Sequence, residues 1–408
     1  MEEDKGKKNA RRSICFLTDS IFSVGGVQRV LSVVAIELAK SNDVTIVTFD
    51  SPSRQDTSLY GLDKAPIRYR YFAYPRVNPL WRRMLKTYSA VYRKLRLPWP
   101  WASDIYAHTS FPKTMQQALV SELKQGGYNV IVAVHAPLAV RLATVAPQLK
   151  GVATIGWIHN SFEALFGKDS TYIGEELKRH YVRQLNKLDQ FVVLCHHDAD
   201  KYKNFDKTSN PAVIYNPLTL MPGSRSKGTS KTFLAVGRLT RLHKGFDLLV
   251  EAFSIFAAKD ENRDWKLKIV GEGPEENTLR KQIEHCHLEQ RIELLPFTRN
   301  IQNYYSESQI FVLSSRWEGF GLVLTEAMAH GVPVVSSNLP TSLELMGDFA
   351  LYFENGNAAD LARQLQASTT INWKEKSDQA VTIASTFAAD AIISQWQHVI
   401  DHVLENAP

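Results

Sequence analysis

Short apolar runs alternate with helical stretches along nearly the whole chain. Residues 13–18, 44–50, 130–135, 152–158 and 190–195 are compact and rich in Val, Ile and Phe, as strands buried on both faces are. Between the first two, residues 27–40 place Val30, Leu31, Val34 and Leu38 on one face at helical spacing. A second series starts at Thr232. Residues 232–236, 267–270, 292–295 and 310–313 read as strands, and 246–256 and 322–330 as helices. Strand–helix alternation of this kind predicts an α/β fold with parallel sheets. Residues 392–404 bring Ile393, Trp396, Ile400 and Val403 to one face and predict a last amphipathic helix.

Length adds that one core is not enough: 408 residues call for two domains. The polar, breaker-rich stretch 221–230 reads as the linker between them. A hydrophobic fraction of 44% and a charged fraction of 22% are those of an ordinary globular protein, and no apolar run approaches a membrane span. Cys15, Cys195 and Cys286 are far apart and odd in number, and the apolar stretch after the mixed-charge start is short and interrupted by Asp19, so it reads as a strand and not as a signal peptide. Reduced thiols in a cytoplasmic protein are expected.

Chemistry concentrates where strands end. After the strand 310–313, Gly319 and Gly321 allow a tight turn, and a helix runs from Leu322 until Gly331-Val332-Pro333 stops it. A helix start beside a glycine loop, at the carboxyl end of a parallel strand, is an anion site. Glu318 and Glu326 bracket it. Carboxylates beside a phosphate make sense as acceptors for sugar hydroxyls; for Glu326 a solvated helix start is the alternative. The loop 237–245, bounded by Gly237 and Gly245, carries Arg238 and Lys244, a fork and a point charge suited to a diphosphate. Arg241 between them reads as solvated.

The first loop, 19–24, ends in Gly25-Gly26. It resembles a dinucleotide-binding start, with Asp50 where a ribose-binding acid sits, but it lacks G-x-G-x-x-G, and Glu276 breaks the same pattern after Gly271 and Gly273. A plain turn is the alternative. His135 and His159 each close a strand at its carboxyl end. Asp198 and Asp200 form D-x-D, which holds a metal in some transferases; opening a helix is the expected role here.

Glu318 and Glu326, with seven residues between them and Gly-Phe-Gly after the first, resemble the paired-glutamate motif of the retaining family 4 glycosyltransferases. The G-R-x5-K-G spacing of Gly237, Arg238, Lys244 and Gly245 resembles that family's diphosphate motif. The resemblance covers roughly the whole chain and is strongest from residue 237 to 335. It implies the GT-B fold: two Rossmann-like domains with parallel sheets facing across a central cleft. The implied bounds are 1–218 for the acceptor-side domain, 219–385 for the nucleotide-sugar domain, and 386–408 for a terminal helix crossing back.

The resemblance also implies a reaction, transfer of a hexose or N-acetylhexosamine from a UDP-sugar to a saccharide acceptor, with retention and no metal or other cofactor. Arg238 and Lys244 would stabilise the leaving diphosphate beside the helix start at Gly319, Phe320, Gly321 and Leu322. Glu326 would hold the ribose hydroxyls and Glu318 those of the sugar. His159 would lie beside the donor sugar, the backbone at Phe297 and Thr298 would read uracil, and Gly25 and Gly26 would lie near the donor phosphates. A UDP-sugar 2-epimerase or a non-catalytic nucleotide-sugar-binding protein would share this architecture.

Residues 76–104 stand apart. Arg76, Arg82, Arg83, Lys86, Arg93, Lys94 and Arg96 are interleaved with Trp81, Tyr88, Tyr92, Trp99 and Trp101, and Asp104 is the only acid. One reading is a surface helix on the cytoplasmic face of a membrane, where a lipid-linked saccharide presents its hydroxyl; the other is a solvated helix with inward aromatics. A nucleic-acid partner has no other support in the chain.

Overall fold

A computed structural model gives the architecture. It describes residues 11–406 except 77, 96–98, 168–169, 171 and 221–222. The side chains of residues 81, 82, 89, 93, 100, 104, 108, 241 and 242 also lie outside the described set. The chain forms two units: 1–194 with 198–214 and 392–408, and 195–197 with 215–391.

In the first unit seven parallel strands run β3-β2-β1-β4-β5-β6-β7. They are β1 (Ser13–Thr18), β2 (Asp43–Thr48), β3 (Arg68–Tyr71), β4 (Val130–Val134), β5 (Ala153–Trp157), β6 (Gln190–Val193) and β7 (Ala212–Val213). The order reverses between β1 and β4, which pair Cys15 with Ile131 and Phe16 with Val132. Helices cover both faces of such a sheet, so every residue of β4 and β5 is buried. The helix Ala389–Glu405 completes this unit. Its Trp396 meets Trp157 of β5 edge-on at 4.7 Å, and Asp401 pairs with Arg12. Cys15 and Cys195 are buried thiols and Cys286 a partly exposed one.

In the second unit six parallel strands run β10-β9-β8-β11-β12-β13. They are β8 (Thr232–Val236), β9 (Lys266–Val270), β10 (Ile292–Leu295), β11 (Ile310–Leu313), β12 (Val334–Ser337) and β13 (Leu351–Phe353). The core on one face is aromatic: Phe233 stacks on Trp265 at 4.6 Å and meets Phe256 edge-on. Here the order reverses between β8 and β11. In a doubly wound sheet ligands bind beyond the carboxyl ends of strands at such a reversal. The loops after β1, β4, β8 and β11 are therefore where ligand-binding residues are expected.

Several elements differ from their expected bounds. The loop 237–245 contains a helical turn, Arg241–Lys244, between Thr240 and Gly245. His135 is not the last residue of its strand; it turns out of β4 at φ +78° and caps the helix Ala136–Val145. The segment 76–104 forms two helices, Pro79–Leu95 and Pro100–Ser110, the second opened by Pro100 in its first turn. Arg96 and the side chains of Trp81, Arg82, Arg93 and Asp104 lie outside the described residues, as do Met221 and Pro222 of the linker and the side chain of Arg241. No helix of the described residues is long and apolar enough to cross a membrane.

Candidate active site

In the second unit the loops after β8 and β11 are locked together. Gly245 sits at φ +60°, and a Cβ there would lie 2.1 Å from the Ser314 carbonyl oxygen, so only glycine lets the chains touch. The Ser314 hydroxyl donates to the Lys244 carbonyl at 2.8 Å, and the Arg316 amide donates to the His243 carbonyl at 2.7 Å. Arg316 also grips Asp247 through two hydrogen bonds of 2.9 and 2.8 Å. Burial alone would raise the Asp247 carboxyl; the guanidinium fork beside it holds it below its ordinary value.

This lock brings the predicted cation and carboxylate into contact. Lys244 Nζ lies 2.5 Å from Glu318 Oε1, which also accepts from the Ser315 hydroxyl at 2.6 Å. Arg238 is exposed and makes no ion pair among the described residues. Gly321, at φ +85°, is the N-cap of the helix Leu322–Ala329, whose first turn carries no acid. Lys244 with its partner Glu318, Arg238 in the same loop, and an uncapped helix start thus all lie beyond the carboxyl ends of β8 and β11, an arrangement suited to a diphosphate joined to a hydroxylated group.

Other predicted residues have more settled surroundings. Glu326 is buried, 2% exposed. Its Oε2 accepts from the Tyr305 hydroxyl at 3.0 Å and its Oε1 from the Thr219 hydroxyl at 3.3 Å. His330, one turn on, stacks on Tyr305 at 5.1 Å and bonds the Glu326 carbonyl through Nδ1. Phe320 turns its ring inward against Tyr215 and Phe387, leaving its backbone for any ligand. Phe297 is exposed at the end of β10, and the Thr298 hydroxyl caps the Asn300 amide. Gly319 and Leu322 are part-buried. The sequence reading missed Tyr305, Thr219 and Asp247. Asp247 carried a faint signal, an acid in the first turn of a helix; Tyr305 and Thr219 carried none.

In the first unit Gly25 caps the helix Gly26–Ala39 with no side-chain cap and no acid in the first turn. The Gly25 amide donates to the Tyr60 hydroxyl at 3.0 Å. The loop before it is organised by Asp50, which accepts from the amides of Ile21 and Phe22 and the hydroxyls of Ser20 and Thr48. Asp50 is therefore a loop anchor and not a ribose acid. His159, after β5, is buried 4.4 Å from the Trp157 ring and 5.4 Å from the His135 ring. Burial, then the neighbouring imidazole, pushes its pKa well below the usual value. Asp198 opens the helix His196–Phe205 and accepts from the Phe162 amide at 2.9 Å.

Comparison with known proteins places this geometry. The model of the glycosyl transferases group 1 matches residues 219–381, and that of Glycosyltransferase Family 4 matches residues 24–220. An uncharacterized glycosyltransferase of Haemophilus influenzae is 27% identical over 405 residues, covering 95% of this chain and 100% of its own length. The amylovoran biosynthesis glycosyltransferase AmsD of Erwinia amylovora is 29% identical over 224 residues, 52% of this chain and 62% of its own. Among solved structures, S. aureus TarM aligns with a TM-score of 0.73 at 15% identity, over 96% of this chain and 99% of that one. Anabaena Alr3699/HepE in complex with UDP aligns with a TM-score of 0.72 at 18% identity, over 96% and 100%. Those likenesses carry the fold, two Rossmann-like domains of the GT-B class. With the two family models running on from residue 24 to residue 381, the chain belongs to the family 4 type of glycosyltransferase.

Proposed function

We propose that this chain transfers a hexose or N-acetylhexosamine from a UDP-sugar to a hydroxyl of a saccharide acceptor, with retention and without a metal. The observation that carries the reading is the Lys244–Glu318 pair beside exposed Arg238 and the open helix start at Gly321. UDP is supported as the leaving group by its presence in the Anabaena neighbour, and a cell-surface polysaccharide by the amylovoran relative.

The acceptor oxygen attacks the anomeric carbon on the face from which UDP leaves. The bond from that carbon to the β-phosphate oxygen breaks, its electron pair stays on the diphosphate, and this oxygen takes the hydroxyl proton. Arg238 and Lys244 stabilise the charge that grows on the diphosphate. Once the diphosphate engages Lys244, Glu318 is released to accept from sugar hydroxyls. Glu326 holds the ribose, the Phe297–Thr298 backbone the base, and His159 flanks the sugar. The acceptor is lipid-linked, and transfer takes place in the cytoplasm against the inner membrane face.

A thermal-shift screen across nucleotide-sugars tests this, followed by incubation of the best donor with lipid-linked and free saccharides. NMR of the product should show the donor's anomeric configuration. Epimerisation at C2 without acceptor, or binding with no turnover on any acceptor, would replace the proposal.

A further inference from the structure

The helices Pro79–Leu95 and Pro100–Ser110 turn an apolar face to solvent where a water-facing helix is polar. Three tyrosines make up the described inward contacts. Tyr88 stacks on Tyr92 at 6.2 Å and Tyr92 on Tyr106 at 5.0 Å. The Tyr88 hydroxyl donates to the Ala102 carbonyl at 2.9 Å and the Tyr92 hydroxyl to the Glu176 carbonyl at 3.2 Å. These contacts fix which way the pair faces.

Outward, Leu80, Met84, Val91 and Leu95 follow at steps of four, seven and four residues. Such steps keep them within a sector of about 60° around an α-helix. They are 75%, 61%, 44% and 60% exposed. Trp99 and Trp101 stack with nearly parallel rings at 5.7 Å, yet are 50% and 57% exposed, and Ile105 follows one turn later. Scattered exposed apolar residues are ordinary on a protein surface. A stripe ending in a half-exposed tryptophan pair is not, because an indole combines an apolar body with a polar N–H and suits a lipid–water boundary.

Charge identifies the partner. Residues 64–103 hold ten Lys and Arg and no Asp or Glu, whereas the rest of the chain has 38 basic against 42 acidic residues. The chain's excess of positive charge is therefore confined to this stretch. Arg83 and Lys94 are exposed along one side of the stripe, Arg76 is exposed just before the helix, and Lys86 is exposed farther round it. A second copy seated face to face would bring these cations together, whereas an anionic bilayer takes both the apolar rings and the cations.

We propose that the outer face of these two helices seats on an anionic lipid bilayer, the tryptophan pair and the Leu80–Leu95 stripe entering the headgroup boundary. The inference supplies a partner to the proposed transferase, yet it is separable from the chemistry because its test reads binding and not turnover.

The test is flotation of the full chain with phosphatidylcholine vesicles with and without phosphatidylglycerol, at low and high salt, with tryptophan emission followed in parallel. The parent should float only with phosphatidylglycerol vesicles, shift its emission to the blue, and be released by salt, since charges are screened beyond about 10 Å at ~0.1 M. A variant with Arg83→Glu, Lys86→Glu and Lys94→Glu should bind at least about tenfold more weakly. A second, with Leu80→Gln, Met84→Gln and Trp101→Gln, should lose binding and the blue shift together. Both should keep their thermal stability, because every altered side chain is exposed. Failure of the parent to bind, equal binding to neutral vesicles, or unchanged binding by either variant overturns the proposal. So does a dimer seen by light scattering without lipid that the apolar variant abolishes.

Discussion

Lys244 and Glu318, 74 positions apart in sequence, meet at 2.5 Å because β8 and β11 are neighbours in the second sheet. Each occupies the other's ligand position. A diphosphate must draw Lys244 away before Glu318 is free to bind hydroxyls. The two should therefore be strongly non-additive. Lys244→Met and Glu318→Gln should each lower kcat/KM for transfer by at least about a hundredfold, as loss of preorganised charge does. The double variant should fall well short of the product of the two losses. A double-mutant cycle on kcat/KM checks this; simple additivity would show that the pair acts as two independent groups.

Glu326→Gln should weaken UDP by about 1–3 kcal/mol, the range for a hydrogen bond to a charged group. Tyr305→Phe should weaken UDP less, because it frees the carboxylate to turn without removing it. Calorimetry of UDP binding measures both. If Glu326→Gln binds UDP as the parent does, the carboxylate belongs to the Tyr305–His330 packing alone.

Transfer should persist in EDTA. Arg238 and Lys244 place two cations where a metal would otherwise neutralise the diphosphate. The assay is turnover with and without chelator. Complete loss, restored by a divalent ion, would assign that ion a role and return attention to Asp198 and Asp200.

The buried His159 gives a pH signature. Its folded pKa lies well below the ordinary 6.5, so between those values the unfolded chain binds a proton that the folded chain does not. The neutral imidazole's contribution is thus fully present above pH 6.5 and is lost as pH falls from there toward the folded pKa. His159→Gln should flatten the fall of Tm between neutral and mildly acidic pH. Melting curves of parent and variant across that range would decide; parallel curves would show that His159 titrates normally.

Gly245→Ala should destabilise the second unit by about 1–3 kcal/mol, the cost of a strained backbone position, before any loss from contact with Ser314. Chemical denaturation followed by tryptophan emission measures it.

The strands were legible because buried parallel strands are continuous apolar runs. Thr232–Val236 and Ile310–Leu313 were read to the residue for that reason. The loops themselves were legible from their glycines, which set Arg238 and Lys244 after β8 and Glu318 and Glu326 around the helix start at Leu322; the chemistry of these residues is the proposal made above. What stayed hidden depends on sheet order. Nothing near Tyr305 signals that its hydroxyl reaches a carboxylate 21 positions on, or that Thr219 approaches the same group from 107 positions away. Asp50 shows the converse: its place after β2 suggested a ribose acid, but the amides of Ile21 and Phe22 come to it through the pairing of β1 with β2. Residues 76–104 read as one aromatic and basic run; the break into two helices turned on Pro100 and on which tyrosines point inward.

The contact of Trp396 with Trp157 has a consequence for synthesis. The second unit is continuous from Tyr215 to Ala391, but the first recruits its last helix from beyond it. A ribosome therefore finishes the second unit while the first still lacks the ring that covers Trp157. During that interval an indole of β5 stays uncovered, the kind of surface on which chaperones act. A chain cut after residue 388 should keep the second unit's cooperative melting while the first unit becomes soft and prone to association.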